Sequence, residues 1–109
     1  MITAVKTNFQ VVESLSVLKE SGNLFAELFN DKSITIEVYK PEGEDLQAPH
    51  HRDELYMVIS GSGDFRMNDE VVQFKSGDLL RVPQGVVHRF ENFTEDFATW
   101  VIFYGDEIY

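Results

Sequence analysis

Gly77-Asp78-Leu79-Leu80-Arg81-Val82-Pro83-Gln84-Gly85-Val86-Val87-His88-Arg89-Phe90-Glu91-Asn92 is the stretch on which the fold turns. Gly77-Asp78 supplies a turn into a short apolar run, Pro83-Gln84-Gly85 supplies another, and His88 enters the next run. Proline fixes φ and glycine permits φ > 0, so the chain reverses twice within about a dozen residues. These reversals carry His88 across to a neighbouring strand. Alternation along that strand places His88 and Phe90 on one face.

Working outward, a second informative segment lies upstream: Gln47-Ala48-Pro49-His50-His51-Arg52-Asp53-Glu54, then the apolar run 55–59, then Gly61-Ser62-Gly63. The chain's three histidines all fall in these two segments. His50 and Glu54 are four positions apart, so in an extended segment they share a face with Tyr56 and Val58. Imidazole is the commonest protein ligand for borderline transition metals. Two neutral imidazoles with one carboxylate form the arrangement associated with non-haem iron, which leaves coordination positions open. If the two segments meet in space, His50, Glu54 and His88 make such a site. Proton competition should then empty it as pH drops through about 6–7.

The rest of the chain reads as strands after one helix. Val11, Val12, Leu15 and Leu18 recur at helical steps over 9–19, and Ser21-Gly22-Asn23 is a stop signal. Candidate strands follow at 24–29, 34–39, 55–59, 65–67, 71–74, 79–82, 87–90 and 97–104, with a hairpin about Asn68-Asp69. Seven or eight short strands, with turn signals roughly every 8–12 residues, indicate an antiparallel sandwich or barrel. Some strands are apolar on both faces: Tyr56 and Val58 oppose Leu55, Met57 and Ile59, and Phe97, Val101 and Phe103 oppose Ala98, Trp100, Ile102 and Tyr104. A sheet with one wet face should alternate with polar residues. A second layer or a second subunit must therefore cover the outer faces, and small size favours a homodimer.

Composition narrows the setting. The 109 residues fit a single domain, 1–109, with no linker or repeat. Cysteine is absent, which excludes disulfides, thiolate zinc sites and thiol catalysis, and fits a reducing compartment. No stretch approaches the ~20 apolar residues of a membrane span, so a soluble, cytoplasmic protein is expected. Nineteen acidic residues against nine scattered basic ones give a net charge of −10, which disfavours nucleic acid and anionic membranes as partners.

The chain resembles a small single-domain bacterial cupin. Gly77, Pro83, Gly85, His88 and Asn92 match every position of that family's second motif, and Glu54 and Gly61 match the end of its first. The resemblance implies a double-stranded β-helix, or jelly-roll barrel, with a metal held inside. One usual ligand is missing: with His50 in the second histidine position of the first motif, the first falls on Ala48. Gln47, through its carbonyl oxygen, and His51 are the candidate replacements. His51 has the wrong parity to face with Glu54 unless the segment is not extended there. The ligand set is therefore read as His50, Glu54 and His88, with Gln47 next and His51 last.

Each of these residues also has a plain structural reading. His88 and His50 could be hydrogen-bonded core residues, His51 a surface imidazole beside Arg52 and Asp53, and Glu54 an exposed strand residue. Asp53 is read as facing outward, Asn92 as a turn residue, and Arg66 and Arg81 as solvated. Three functions follow. The first is an enzyme of dioxygenase, isomerase or epimerase type, holding iron, manganese, nickel or zinc and acting on a small molecule. In it Glu54 either binds the metal or takes a proton. The second is a non-catalytic binding or sensing module, motivated by the missing histidine. The third is a structural oligomer with an empty barrel.

Overall fold

The structure is a computed structural model and describes residues 7–105. Helix α1 (Val11–Ser21) starts and ends two residues later than the spacing predicts. Gly22 closes it in the left-handed conformation at φ 74, its N–H bonded to the Lys19 carbonyl. Glu13 in the first turn and Lys19 in the last complement the helix dipole.

Eight strands follow: β1 (Phe25–Asn30), β2 (Ile34–Tyr39), β3 (Asp53–Ser60), β4 (Ser62–Met67), β5 (Glu70–Lys75), β6 (Leu79–Val82), β7 (His88–Glu91) and β8 (Ala98–Tyr104). They form two antiparallel sheets, ordered β1-β2-β8-β3-β6 and β5-β4-β7. This is the expected all-β jelly roll with a short N-terminal helix. The hairpin turns at Asn68-Asp69, with Asn68 at φ 54.

The two sheets enclose a core rich in phenylalanine. Phe90 lies 4.7 Å from Phe97, 4.9 Å from Phe65 and 4.8 Å from Tyr56, ring centre to ring centre. Aromatic rings at these spacings and tilted angles fill volume with favourable edge contacts. At Gly61 (φ 83) an added Cβ would stand 2.6 Å from the Phe97 Cα, so only glycine lets the chain pass there.

The outer face of the larger sheet is covered in two ways. Leu15 and Leu18 of α1 pack on Ala26, Val38, Ile59 and Trp100, so part of the cover is a second layer from the same chain. Beyond the helix, Met57 (47 % exposed) and Leu79 (61 %) stand open beside half-buried Leu55 and Ile102. No helix among the described residues is long and apolar enough to cross a membrane.

Candidate metal centre

The two segments meet, and backbone contacts make them meet. Strand β3 pairs with β6 in the register Glu54↔Val82 and Tyr56↔Leu80. The Pro83-Gln84-Gly85 turn then grips the upstream loop: Gly85 N–H donates to the His50 carbonyl at 2.7 Å, and Gln84 N–H to Asp53 Oδ1 at 3.0 Å. Asp53 is thus half-buried and tied to this turn, not simply outward-facing as the sequence suggested.

From β3, Glu54 points inward with Tyr56 and Val58, as alternation requires. From β7, His88 and Phe90 point inward together. His88 Nε2 lies 2.9 Å from Glu54 Oε1, with both side chains essentially fully buried. His50 completes the group, and one ligand atom from each of the three residues lies within 4.8 Å of the others. His50 reaches this point from a loop, since residues 50–52 are not part of β3. Its ring packs edge-on against Phe103 at 4.8 Å. His51, the next residue along the chain, is exposed.

Hydrogen bonds orient the group. His88 Nδ1 donates to the Val86 carbonyl at 2.9 Å, since a carbonyl can only accept; this aims Nε2 at Glu54 and at Tyr56 Oη, 2.9 Å away. Tyr56 donates to Gln47 Oε1 at 3.1 Å, and that oxygen lies 3.4 Å from His50 Nε2. The Gln47 amide is set by Asp45: its Nε2 donates to Asp45 Oδ2 at 2.9 Å, so its oxygen faces the histidine. Asp45 is itself buried. It also accepts from the Tyr39 hydroxyl at 2.6 Å, from the Gln47 N–H and from the Phe90 N–H at 2.8 Å.

The electrostatics of the two histidines differ in sign. Burial pulls both imidazole pKa values down. At His50 burial wins over the Glu54 charge, and the pKa is lowered. At His88 the Glu54 carboxylate, the Val86 carbonyl and the Asp45 charge outweigh burial, and the pKa is raised.

This donor set fits a divalent metal. Glu54 is 1 % exposed, yet neither carboxylate oxygen takes up an aligned hydrogen bond. The 2.9 Å contact with His88 supplies charge attraction without filling those lone pairs. A buried carboxylate is costly without a cation or hydrogen bonds, and two imidazole nitrogens stand where a cation's other ligands would be. An ion with bonds of about 2.0–2.2 Å reaches all three with at most a small inward movement.

Other sequence candidates are accounted for. Arg66 pairs with Glu91 at 3.0 Å on the surface, and Arg81 is exposed. Asn92 is a turn residue at φ 51 that bonds Asp64. A pocket of about 320 Å³ adjoins the group, lined by His50, Gln47, Ala48, Glu37, Tyr39 and Phe103 among others. A larger recess of about 460 Å³ lies under α1, away from the triad. Three polar contributors escape sequence reasoning: Asp45, the Tyr56 hydroxyl and Glu37. Asp45 sits in an acidic turn with no local signal of burial.

Fold and triad together define a class, a jelly-roll barrel enclosing two histidines and a buried glutamate. Residues 35–104 match the family model described as cupin domain, and the chain belongs to that family. An uncharacterized Streptomyces coelicolor protein, SCO3923, is 30 % identical over 81 residues, which is 72 % of this chain and 77 % of that one. Mannose-1-phosphate guanylyltransferase ManC of Salmonella typhimurium is 34 % identical over 67 residues, 61 % of this chain but 13 % of that protein. An RmlC-like cupin with a double-stranded β-helix fold from Methanocaldococcus jannaschii superimposes with a TM-score of 0.64 at 20 % identity, over 73 % of this chain and 77 % of its own.

Proposed function

We propose that residues 1–109 form one metal-dependent enzyme domain acting on a small molecule. His50, Glu54 and His88 are the ligands of a divalent transition metal (iron, manganese, nickel or zinc), and Gln47 Oε1 is the fourth. The observation that carries this reading is the fully buried Glu54 carboxylate, with no aligned hydrogen bond and two imidazoles at its side. When bound, the metal supplies Lewis-acid or electron-relay chemistry of the dioxygenase, isomerase or epimerase kind. The chain's own residues do the rest. Tyr56 and Gln47 hold the histidines in place, the phenylalanine core keeps water out from below, and Glu54 accepts a proton when it is not engaged. Elemental analysis of untagged protein tests the reading directly. Near-stoichiometric metal is expected, and metal-free protein that stays metal-free after dialysis against manganese or zinc overturns it.

A second reading rests on Ala48, which stands in the position of the missing histidine: the site binds or senses a small molecule without turnover. Oxygen uptake during an aerobic screen of catechols, flavonoids, sugars and keto acids separates the two. We also infer a homodimer through the open face at Leu55, Met57, Leu79 and Ile102, where apolar surface continues past the helix. Light scattering tests it; a 12.5 kDa species at micromolar concentration removes it.

A further inference from the structure

Strand β2 turns its polar side toward the barrel interior. Glu37 registers with Val101, and Val101 with Tyr56, so Glu37 shares the inner face with the residues around the triad. It is half-buried and lines the 320 Å³ pocket that also reaches His50 and Gln47. The other walls are largely apolar: Phe25, Val101, Phe103 and Ala48. The remaining polar group, the Tyr39 hydroxyl, is committed to Asp45.

No lysine or arginine is among the described residues that line the pocket. Two cations elsewhere in the fold are engaged. Arg52 donates to Gly105 O, Thr35 Oγ1 and Phe103 O, and Lys40 donates to the carbonyls of Glu95 and Phe97. The charged groups that act on Glu37 are carboxylates, Glu27 from β1 and Glu54 from β3, while the loop contributes His50, whose pKa is lowered. Burial, and then these two carboxylates, push the Glu37 carboxyl up to about 7. Near neutral pH it therefore offers a hydroxyl either an acceptor or a donor. In the metal-free protein, a phosphate ester entering the same space would bring two negative charges with no side-chain cation among the described lining residues to receive them.

We propose that this pocket takes an uncharged, hydroxyl-bearing small molecule, that Glu37 hydrogen-bonds one of its hydroxyls, and that phosphorylated analogues are turned away. The inference rests on the small-molecule reading above and narrows its ligand class. It sets this chain apart from the ManC relative, whose name specifies a sugar phosphate. The pocket volume lies at the lower end of the roughly 300–1,000 Å³ of small-molecule sites, which suits a ligand of sugar or phenol size.

The test titrates the full chain, metal-free and Zn²⁺-loaded, with matched probes while amide NMR shifts are followed: mannose and mannose 6-phosphate, glycerol and glycerol 3-phosphate, phenol and phenyl phosphate. At least one neutral probe should shift Glu37 and Val101 and outbind its phosphate partner by about tenfold, as a carboxylate charge within a few ångströms implies. Glu37→Gln, which keeps the shape, should narrow that gap, and Glu37→Lys should invert it. Phosphate esters binding as well as their partners overturn the inference, as does a preference unchanged in Glu37→Gln, or silence from every neutral probe. Zn²⁺ uptake, measured by calorimetry on the same samples, keeps the two readings apart. Uptake with a preference for phosphate esters overturns only the ligand class. Neutral-probe shifts without Zn²⁺ uptake overturn only the metal.

Discussion

The candidate centre has two halves built by different means. Glu54 and His88 come from strands, each locked by a ladder and by packing on Tyr56 and Phe90. His50 and Gln47 come from the loop before β3, held by side-chain and turn contacts: Gly85 N–H on the His50 carbonyl and Asp45 on the Gln47 amide. Strand-borne ligands are positioned by the fold itself, whereas loop-borne ones depend on a few hydrogen bonds that single substitutions remove. The halves should therefore fail differently.

The largest difference should appear in metal affinity. His88→Ala or Glu54→Ala should cost more than about 100-fold, beyond the 10–100-fold typical of supporting residues. His50→Ala should cost less, because its ligand comes from a loop and not from a laddered strand. His51→Ala should cost almost nothing. Calorimetric titration with Zn²⁺ ranks the four, and equal losses for His88→Ala and His51→Ala would erase the distinction between strand and loop.

Asp45→Asn should come next. It leaves the strands intact but unsettles the loop half, since the amide cannot accept from all of Tyr39, Gln47 and Phe90 at once. We expect about 1–3 kcal/mol of lost stability for the unsatisfied buried donors, read by chemical denaturation. Metal affinity should drop about tenfold alongside. A full loss of metal would mean that the loop, and not the strands, governs the site.

Protons sharpen the contrast further. His88 has a raised pKa, so in the metal-free protein its stabilising contribution is complete below the ordinary value of about 6.5. It is lost as pH rises through the folded value. His50, lowered, works the other way: its contribution is complete above about 6.5 and fades as pH falls. Metal uptake near pH 7 should thus release protons chiefly from His88. Calorimetry in buffers of different ionisation enthalpy reads the release, which should shrink as pH rises through the folded value. Release that is unchanged in His88→Ala would contradict the assignment.

The smallest effect should come from Glu37. Its pKa rises from 4.5 to about 7, so the folded state holds its proton longer and stability declines as pH climbs across that interval. Glu37→Gln should raise Tm at pH 8 and leave it unchanged at pH 4. Discounted for partial exposure, the gain is about 1 kcal/mol, or roughly 4 °C. Thermal melts at both pH values check it.

The same division explains what could be read from the sequence. Periodicity of two holds where backbone is extended, so Glu54, Tyr56, Val58, His88 and Phe90 were placed on their correct faces. Strands 34–39 and 79–82 match to the residue, and most other strands fall within one or two residues. At His50 the rule does not apply, because the segment bends before β3 begins and the imidazole reaches the group from a loop. In 34–39 the alternation of isoleucine and valine marks a strand but not its inside: Val38 is buried beneath the helix, while Thr35, Glu37 and Tyr39 look inward. Cover from α1 is a long-range fact that no local window contains. Asp45 was illegible for the same reason, since two of its four donors, Tyr39 and Phe90, come from strands β2 and β7.

That aspartate has one more consequence. Strand β7 pairs only with β4, so it lies at the rim of its sheet with one side unladdered. Exposed rims of this kind invite a foreign strand to add on. By accepting the Phe90 N–H, Asp45 occupies an amide that an incoming polypeptide would need. The carboxylate that steadies the centre also discourages self-association, so a variant lacking it should turn cloudy on storage before it loses its β-sheet signature.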